Sequence, residues 1–156
     1  MLYLICTPIG NLNDFSLRSI NTLKEVDRIF AEDTRVAAKL LQHFDIKKKT
    51  SPFHEHNEKE ASDEIIKLIK SGETLAVLSD AGAPLISDPG YPLIQRCINE
   101  SLSFTVLPGP SAVINALILS GLPSDKFLFN GFLPKQYEAK RKIAKKLKNS
   151  NVTNIF

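Results

Sequence analysis

Three stretches of this chain are rich in glycine and proline and poor in long side chains. Each follows an apolar run. Thr7-Pro-Ile-Gly-Asn-Leu12 follows Leu2 to Cys6, and Ser79-Asp-Ala-Gly-Ala-Pro-Leu-Ile-Ser-Asp-Pro-Gly90 follows Thr74 to Leu78. Pro108-Gly-Pro-Ser111 follows Ser103 to Leu107. Small residues let a ligand come close to the backbone, and loops after strands are where open parallel sheets bind ligands. The densest polar cluster is Glu32-Asp-Thr-Arg35. It reads either as a helix N-cap with an Asp–Arg pair, or as a functional group in which the planar fork of Arg35 holds a phosphate. Asp80 and Asp88 could cap turns or hold a cationic or hydroxyl-bearing ligand.

Other chemistries lack their signatures. No two glycines stand two apart, so the G-x-G-x-x-G dinucleotide fingerprint is missing. There is no G-x-x-x-x-G-K-[ST] loop and no G-x-S-x-G elbow. His54 and His56 flank Glu55 without forming H-E-x-x-H. With His43 they could gather round a metal, but hydrogen-bonding loop histidines are the simpler expectation, and no metal site is assigned.

The elements that must carry these loops alternate in kind. Helices are expected from about Phe15 to Lys24, after Thr34 as a cap, from Glu60 to Lys70 and up to about Glu100. In the third of these, Ile65, Ile66, Leu68 and Ile69 are expected to face inward. Strands are expected at Leu2 to Cys6, Arg28 to Ala31, Thr74 to Leu78, Ser103 to Leu107 and Phe127 to Phe132. A helix from about Ala112 to Leu119 and a basic helix after Phe132 complete the pattern. This predicts an α/β fold with a mostly parallel sheet flanked by helices. Asn151 to Phe156 reads as the start of a strand with no partner. The chain is therefore expected to be truncated, or to be entering a second domain that is largely absent.

With 156 residues the chain is long enough for one domain with a real core, and 43% hydrophobic with 24% charged residues suits a globular protein. No apolar run approaches the ~20 residues of a membrane span, and the start lacks a basic signal-peptide region. No membrane association and a cytoplasmic location are expected. Cys6 and Cys97 fit two buried thiols in a reducing compartment. The net charge of +3 hides an asymmetry. Between Lys135 and Lys148, seven cations face Glu138 alone, a local charge of +6 that leaves −3 for the rest. That segment is either a solvated helix face or a surface for an anionic partner.

Nine stretches in order make a more specific signal. They are Leu2-Tyr-Leu4, Thr7 to Leu12, Ala31-Glu-Asp-Thr-Arg35, His54-Glu-His-Asn-Glu58, Ser79-Asp-Ala-Gly82, Ile86-Ser-Asp-Pro-Gly-Tyr91, Pro108-Gly-Pro-Ser-Ala112, Ser120-Gly-Leu-Pro123 and Gly131-Phe-Leu-Pro134. From residue 2 to about residue 141 the chain resembles the ribosomal RNA small subunit methyltransferase I family, a branch of the tetrapyrrole methylase superfamily. The resemblance implies methyl transfer from S-adenosyl-L-methionine to the 2′-hydroxyl of a cytidine in 16S rRNA. It also implies 30S subunits as partner, a homodimer, and a second domain beyond this chain. On this reading residues 1–134 form the cofactor-binding domain, and 135–156 a basic linker helix and the start of the next.

The same resemblance assigns residues. Pro8, Gly10, Asp80, Gly82, Ala83, Pro84, Ile86, Ser111 and Ala112 would bind the cofactor. A general base would remove the hydroxyl proton. Glu32, Asp33, Asp80 and His54 are candidates, with Asp33 and Asp80 taken as catalytic. Arg35, His54, His56, Asn57, Lys135, Lys140, Arg141 and Lys142 would contact RNA. Three positions depart from the family: Ala83 replaces the usual Thr, Val36 a common His, and Gln136 displaces an expected lysine. The alternatives are a methyltransferase acting on a small tetrapyrrole, and a non-catalytic RNA-binding fragment.

Overall fold

Apolar runs become strands and amphipathic stretches become helices in strict alternation. The computed structural model describes residues 1–148 and 150–156. In chain order the elements are β1 (Leu2–Ile5), α1 (Leu17–Glu25), β2 (Arg28–Ala31), α2 (Thr34–His43), β3 (Thr50–Pro52) and α3 (Glu58–Lys70). Then come β4 (Leu75–Leu78), α4 (Tyr91–Asn99), β5 (Phe104–Leu107), α5 (Ala112–Ser120), β6 (Phe127–Phe129), α6 (Tyr137–Leu147) and β7 (Thr153–Ile155). The chain divides into two compact units, Met1–Pro110 and Ser111–Phe156.

In the first unit, five strands form one sheet in the order β3-β2-β4-β1-β5, every pair parallel. Side chains alternate across the pleat, so the strands feed two cores. On one face Ile5, Ile29, Ala31, Ala76, Leu78 and Leu107 pack with Leu23 of α1 and with Ala37, Leu40 and Leu41 of α2. On the other, Leu2, Leu4, Phe30, Leu75 and Val77 pack with Ala61, Ile65, Ile66 and Ile69 of α3 and with Leu93 and Cys97 of α4. All four residues of the central strand β4 are buried, as a sheet covered on both faces requires. Side-chain caps open α1, α2 and α5. The Ser16 hydroxyl accepts from the Ser19 amide at 3.0 Å to open α1.

The expected α/β fold with a parallel sheet is the fold observed. Details differ. Asp33, not Thr34, caps α2, because its carboxylate reaches the Arg35 amide at 2.8 Å, and Thr34 is already helical. Helix α3 starts at Glu58, two residues earlier than its periodicity suggests, and Leu68 is only half-buried. Strand β3 was not expected: it is three residues long at the sheet edge, ends on a proline, and follows the lysine run 47–49.

The second unit holds α5 and a β6-α6-β7 segment. β6 and β7 pair in parallel, Phe127 with Thr153 and Phe129 with Ile155. The terminal strand expected to lack a partner thus has one. β6 is shorter than expected, because after Phe129 the Asn130 amides turn to Ile155 and Asn154. Gly121 closes α5 in the left-handed conformation, at φ +65°, a position that suits glycine. Along α6, Ala139, Ile143 and Leu147 form a half-buried stripe while every cation is exposed.

Candidate functional site

Parallel register decides what meets what. Pro52, Ala31, Leu78, Ile5 and Leu107 lie in one row across the sheet. The next residue of each strand, Phe53, Glu32, Ser79, Cys6 and Pro108, therefore emerges at the same carboxyl edge. The first and second small-residue loops, the Glu32-Asp-Thr-Arg35 cluster and the start of the His54-Glu-His-Asn-Glu58 stretch all leave the sheet there. Such an edge is where open α/β sheets take their ligands.

The first two loops are tied together. Thr7 and Gly82 exchange two backbone hydrogen bonds, of 2.9 and 3.1 Å. The Ser79 hydroxyl donates to the Gly82 carbonyl at 2.8 Å, and the Thr7 hydroxyl to the Ser79 carbonyl at 3.2 Å. Within this loop Gly82, Leu85, Ser87 and Gly90 all have positive φ, at +85°, +70°, +70° and +128°. For Leu85 and Ser87 that conformation is strained, and strain of this kind persists only where the surroundings hold it. One holding contact comes from outside the loop: Glu58 accepts from the Gly90 amide at 2.6 Å. This latch was not legible in the sequence, since an acid in the first turn of a helix already has a local reason to be there. Gly109 lies against Cys6 so closely that a β-carbon would stand 2.7 Å from the Cys6 Cβ.

Four carboxylates line the edge in two environments. Asp80 accepts from the Asp33 amide at 3.0 Å, tying the second loop to the start of α2. Asp33 is fully engaged, accepting from the Arg35 amide and from its guanidinium at 2.6 to 3.2 Å. Those bonds hold its carboxyl far below the usual carboxylate range. Glu32 points the other way, into a small void shared with Phe53, Ser79, Pro84 and Asp88. Burial, then the charges of Asp88, Asp80 and Asp33, push the Glu32 carboxyl up. Burial and Asp80 do the same to Asp88. This divided pair was invisible in the sequence, where Asp88 stands far from Glu32.

The remaining candidates fall in several places. Pro8 and Asp80 line a cavity of about 210 Å³ with Val36 and Lys39 of α2, at the first loop. Gly10 and Ile86 are exposed, Ala83 is half-buried, and Gly82 and Pro84 are buried within the second loop. Asn57 is occupied structurally: its side chain accepts from the His54 amide at 2.8 Å and donates to the Pro52 carbonyl at 3.0 Å. The His54 and His56 rings lie 6.0 Å apart, and His43 packs edge-on against Phe44. Among the described residues no three His, Cys, Asp or Glu side chains gather as metal ligands. No described helix is long and apolar enough to cross a membrane. Ser111 and Ala112 belong to the second unit, where the Ser111 hydroxyl caps α5. Lys135, Lys140, Arg141 and Lys142 are exposed on that unit.

The family model of the tetrapyrrole (corrin/porphyrin) methylases matches residues 1–156. The chain belongs to that family. Its curated relatives narrow the branch. The Thermotoga maritima protein named ribosomal RNA small subunit methyltransferase I is 46% identical over 155 residues, which cover 99% of this chain and 69% of that one. The protein of the same name from Halalkalibacterium halodurans is 48% identical, over 99% of this chain and 54% of its own. The chain thus spans about half to two thirds of the length of these relatives. The motif order anticipated this branch. Among solved structures, diphthine synthase superposes with a TM-score of 0.65 at 16% identity, over 82% of this chain and 51% of that chain. Uroporphyrin-III-C-methyltransferase from Thermus thermophilus gives 0.61 at 20% identity, over 82% and 57%. The tetrapyrrole methylase family therefore accounts for the parallel sheet and its loop-bearing edge.

Proposed function

We propose that this chain is the cofactor-binding part of a methyltransferase that transfers the methyl group of S-adenosyl-L-methionine to the 2′-hydroxyl of a cytidine in 16S rRNA, acting on 30S subunits as a cytoplasmic homodimer. The observation that carries the reading is the carboxyl edge of the sheet, where the Thr7–Gly82 pairing joins two small-residue loops beside Asp80. The relatives' name supplies the substrate class.

The residues present suit this cofactor. Its sulfonium and ammonium are cationic, and Glu32, Asp80 and Asp88 supply a negative edge. Gly10 of the first loop is exposed with open space around it, so backbone there can approach a ligand without side-chain obstruction. When bound, the cofactor supplies an electrophilic methyl group. What the chain does is align and deprotonate. Of the two acids taken as catalytic, Asp80 is the better placed. One of its oxygens is fixed by the Asp33 amide, which orients the carboxylate and leaves the other oxygen to accept a proton. Asp33 instead caps α2 and holds Arg35, whose exposed guanidinium can meet a phosphate.

Calorimetric titration with S-adenosyl-L-methionine tests the site, with saturable heat expected at one site per chain. Heat indistinguishable from dilution would remove the basis of the proposal. In methylation assays on 30S particles with the full-length enzyme, Asp80→Asn should lower kcat by 10²-fold or more, the usual scale of lost acid–base catalysis. Porphyrin substrates in the same assay should give no transfer.

A further inference from the structure

We infer that the cavity between the first loop and α2 is the pocket for the acceptor nucleotide, taking its ribose and pyrimidine base, with Lys39 on the adjoining phosphate. This inference rests on the reading just proposed and adds a site to it.

The cavity is lined by Thr7, Pro8 and Leu12 from the first loop, by Val36 and Lys39 from α2, and by Asp80 after β4. Its position follows from the sheet. β1 and β4 are neighbours, so their loops flank one opening, and residues 36, 39 and 40 of α2 close it with one helical face. None of Gly82, Ala83, Pro84 or Ile86 lines it, so it is separate from the stretch assigned to the cofactor apart from Pro8 and Asp80.

Three properties select the occupant. The first is size. At about 210 Å³ it is smaller than the roughly 300–1,000 Å³ clefts that bury larger ligands, and it suits one small ring and its sugar rather than a whole cofactor. The second is polarity. Leu12 and Val36 are each 39% exposed, an uncovered apolar pair at the opening. Enzymes that act on a nucleotide withdraw it from its stack and seat the base against such side chains. The third is charge. Lys39 is exposed and makes no ion pair among the described residues, so its ammonium is available to a phosphate. Asp80, the acid proposed to take the ribose proton, lines the same pocket. A nucleotide has an apolar ring face, a hydroxyl-bearing sugar and an anion, and the pocket offers a partner to each.

The test is NMR titration of the ¹⁵N-labelled chain with cytidine 5′-monophosphate and, separately, with S-adenosyl-L-methionine. Cytidine monophosphate should shift the amides of Leu12, Val36 and Lys39, whereas the cofactor should shift those of residues 82–86. Val36→Trp, which fills the pocket from an exposed helical position, should weaken cytidine monophosphate at least tenfold and leave the cofactor within twofold. Lys39→Glu should weaken cytidine monophosphate more than uncharged cytidine. The inference is overturned if the nucleotide shifts none of these amides, if both variants bind it as the parent does, or if the cofactor itself occupies the 12, 36 and 39 positions. Loss of the proposed function would look different: the cofactor would shift nothing anywhere.

Discussion

Glu32 and Asp33 are adjacent in sequence and opposite in electrostatics. Strand β2 alternates, with Phe30 in the α3/α4 core and Ala31 in the α1/α2 core. Glu32 continues on the Phe30 side and shares a small, partly buried void with Asp88. Its carboxyl is raised from an ordinary value of 4.5, chiefly by burial. The folded chain then binds more protons than the unfolded one just above that pH, so the group lowers stability as pH rises through the window from 4.5 upward. Asp33 has the reverse sign. Its bonds to Arg35 lower its carboxyl, so its contribution is present above the ordinary 3.8 and is lost on acidification below it. Glu32→Gln removes the penalty without changing the shape. Its melting temperature should match the parent near pH 4 and exceed it as pH rises above 4.5, levelling off once the folded carboxyl is ionised, as followed by circular dichroism at fixed ionic strength. A difference that stays flat with pH would show that Glu32 is not held in a disfavoured charged state. The sequence marks this cluster as dense and polar, but the opposed roles depend on which side of a strand each residue leaves, and on Asp88, a partner supplied by another loop.

At the level of elements, the sequence was most readable where one physical signal dominated. The strands β1, β2, β4 and β5 and the amphipathic helices α1 to α4 follow from apolar runs and helical spacing. Strand β3 was not readable, because three residues ending in proline carry almost no periodicity and its pairing with β2 is a tertiary effect. The loops were legible as small-residue stretches, but their fastening was not. The Glu58–Gly90 bond and the Thr7–Gly82 pairing join residues 32 and 75 positions apart. Gly109 shows what such fastening demands. The chain after β5 passes over Cys6 with no room for a side chain, and a β-carbon at 2.7 Å from the Cys6 Cβ forces backbone or core to shift. Gly109→Ala should therefore destabilise the chain by about 1–3 kcal/mol, the usual cost of overpacking. Chemical denaturation would show it as a lower midpoint with an unchanged slope.

Across the whole molecule the charge is divided, and that division was fully legible because it needs only counting. The segment 135–148 carries +6 in a chain whose total is +3. The structure adds that these cations ride on α6 or flank its two ends, exposed around a stripe of Ala139, Ile143 and Leu147. Among the described residues, Arg141 alone of these cations pairs with a carboxylate, Glu138 at 4.0 Å, a surface pair worth little. A helix that turns one face inward and fans four lysines and an arginine outward, with Lys135 before it and Lys148 after it, is suited to a polyanion. The other cation proposed for RNA, Arg35, is already partnered by Asp33. Binding to RNA should therefore depend mainly on α6, and it should do so through release of counterions. Each phosphate neutralised on a single strand contributes about −0.7 to the slope of log K against log salt. Replacing Lys140, Arg141 and Lys142 together by glutamine should flatten that slope by about 2 and weaken binding alike for different RNA sequences. Arg35→Gln should change the slope by less than 1. Fluorescence anisotropy of a short labelled RNA between 50 and 200 mM salt measures both. An unchanged slope in the triple variant would mean that the basic helix is only a solvated face, and that RNA recognition lies elsewhere on the protein.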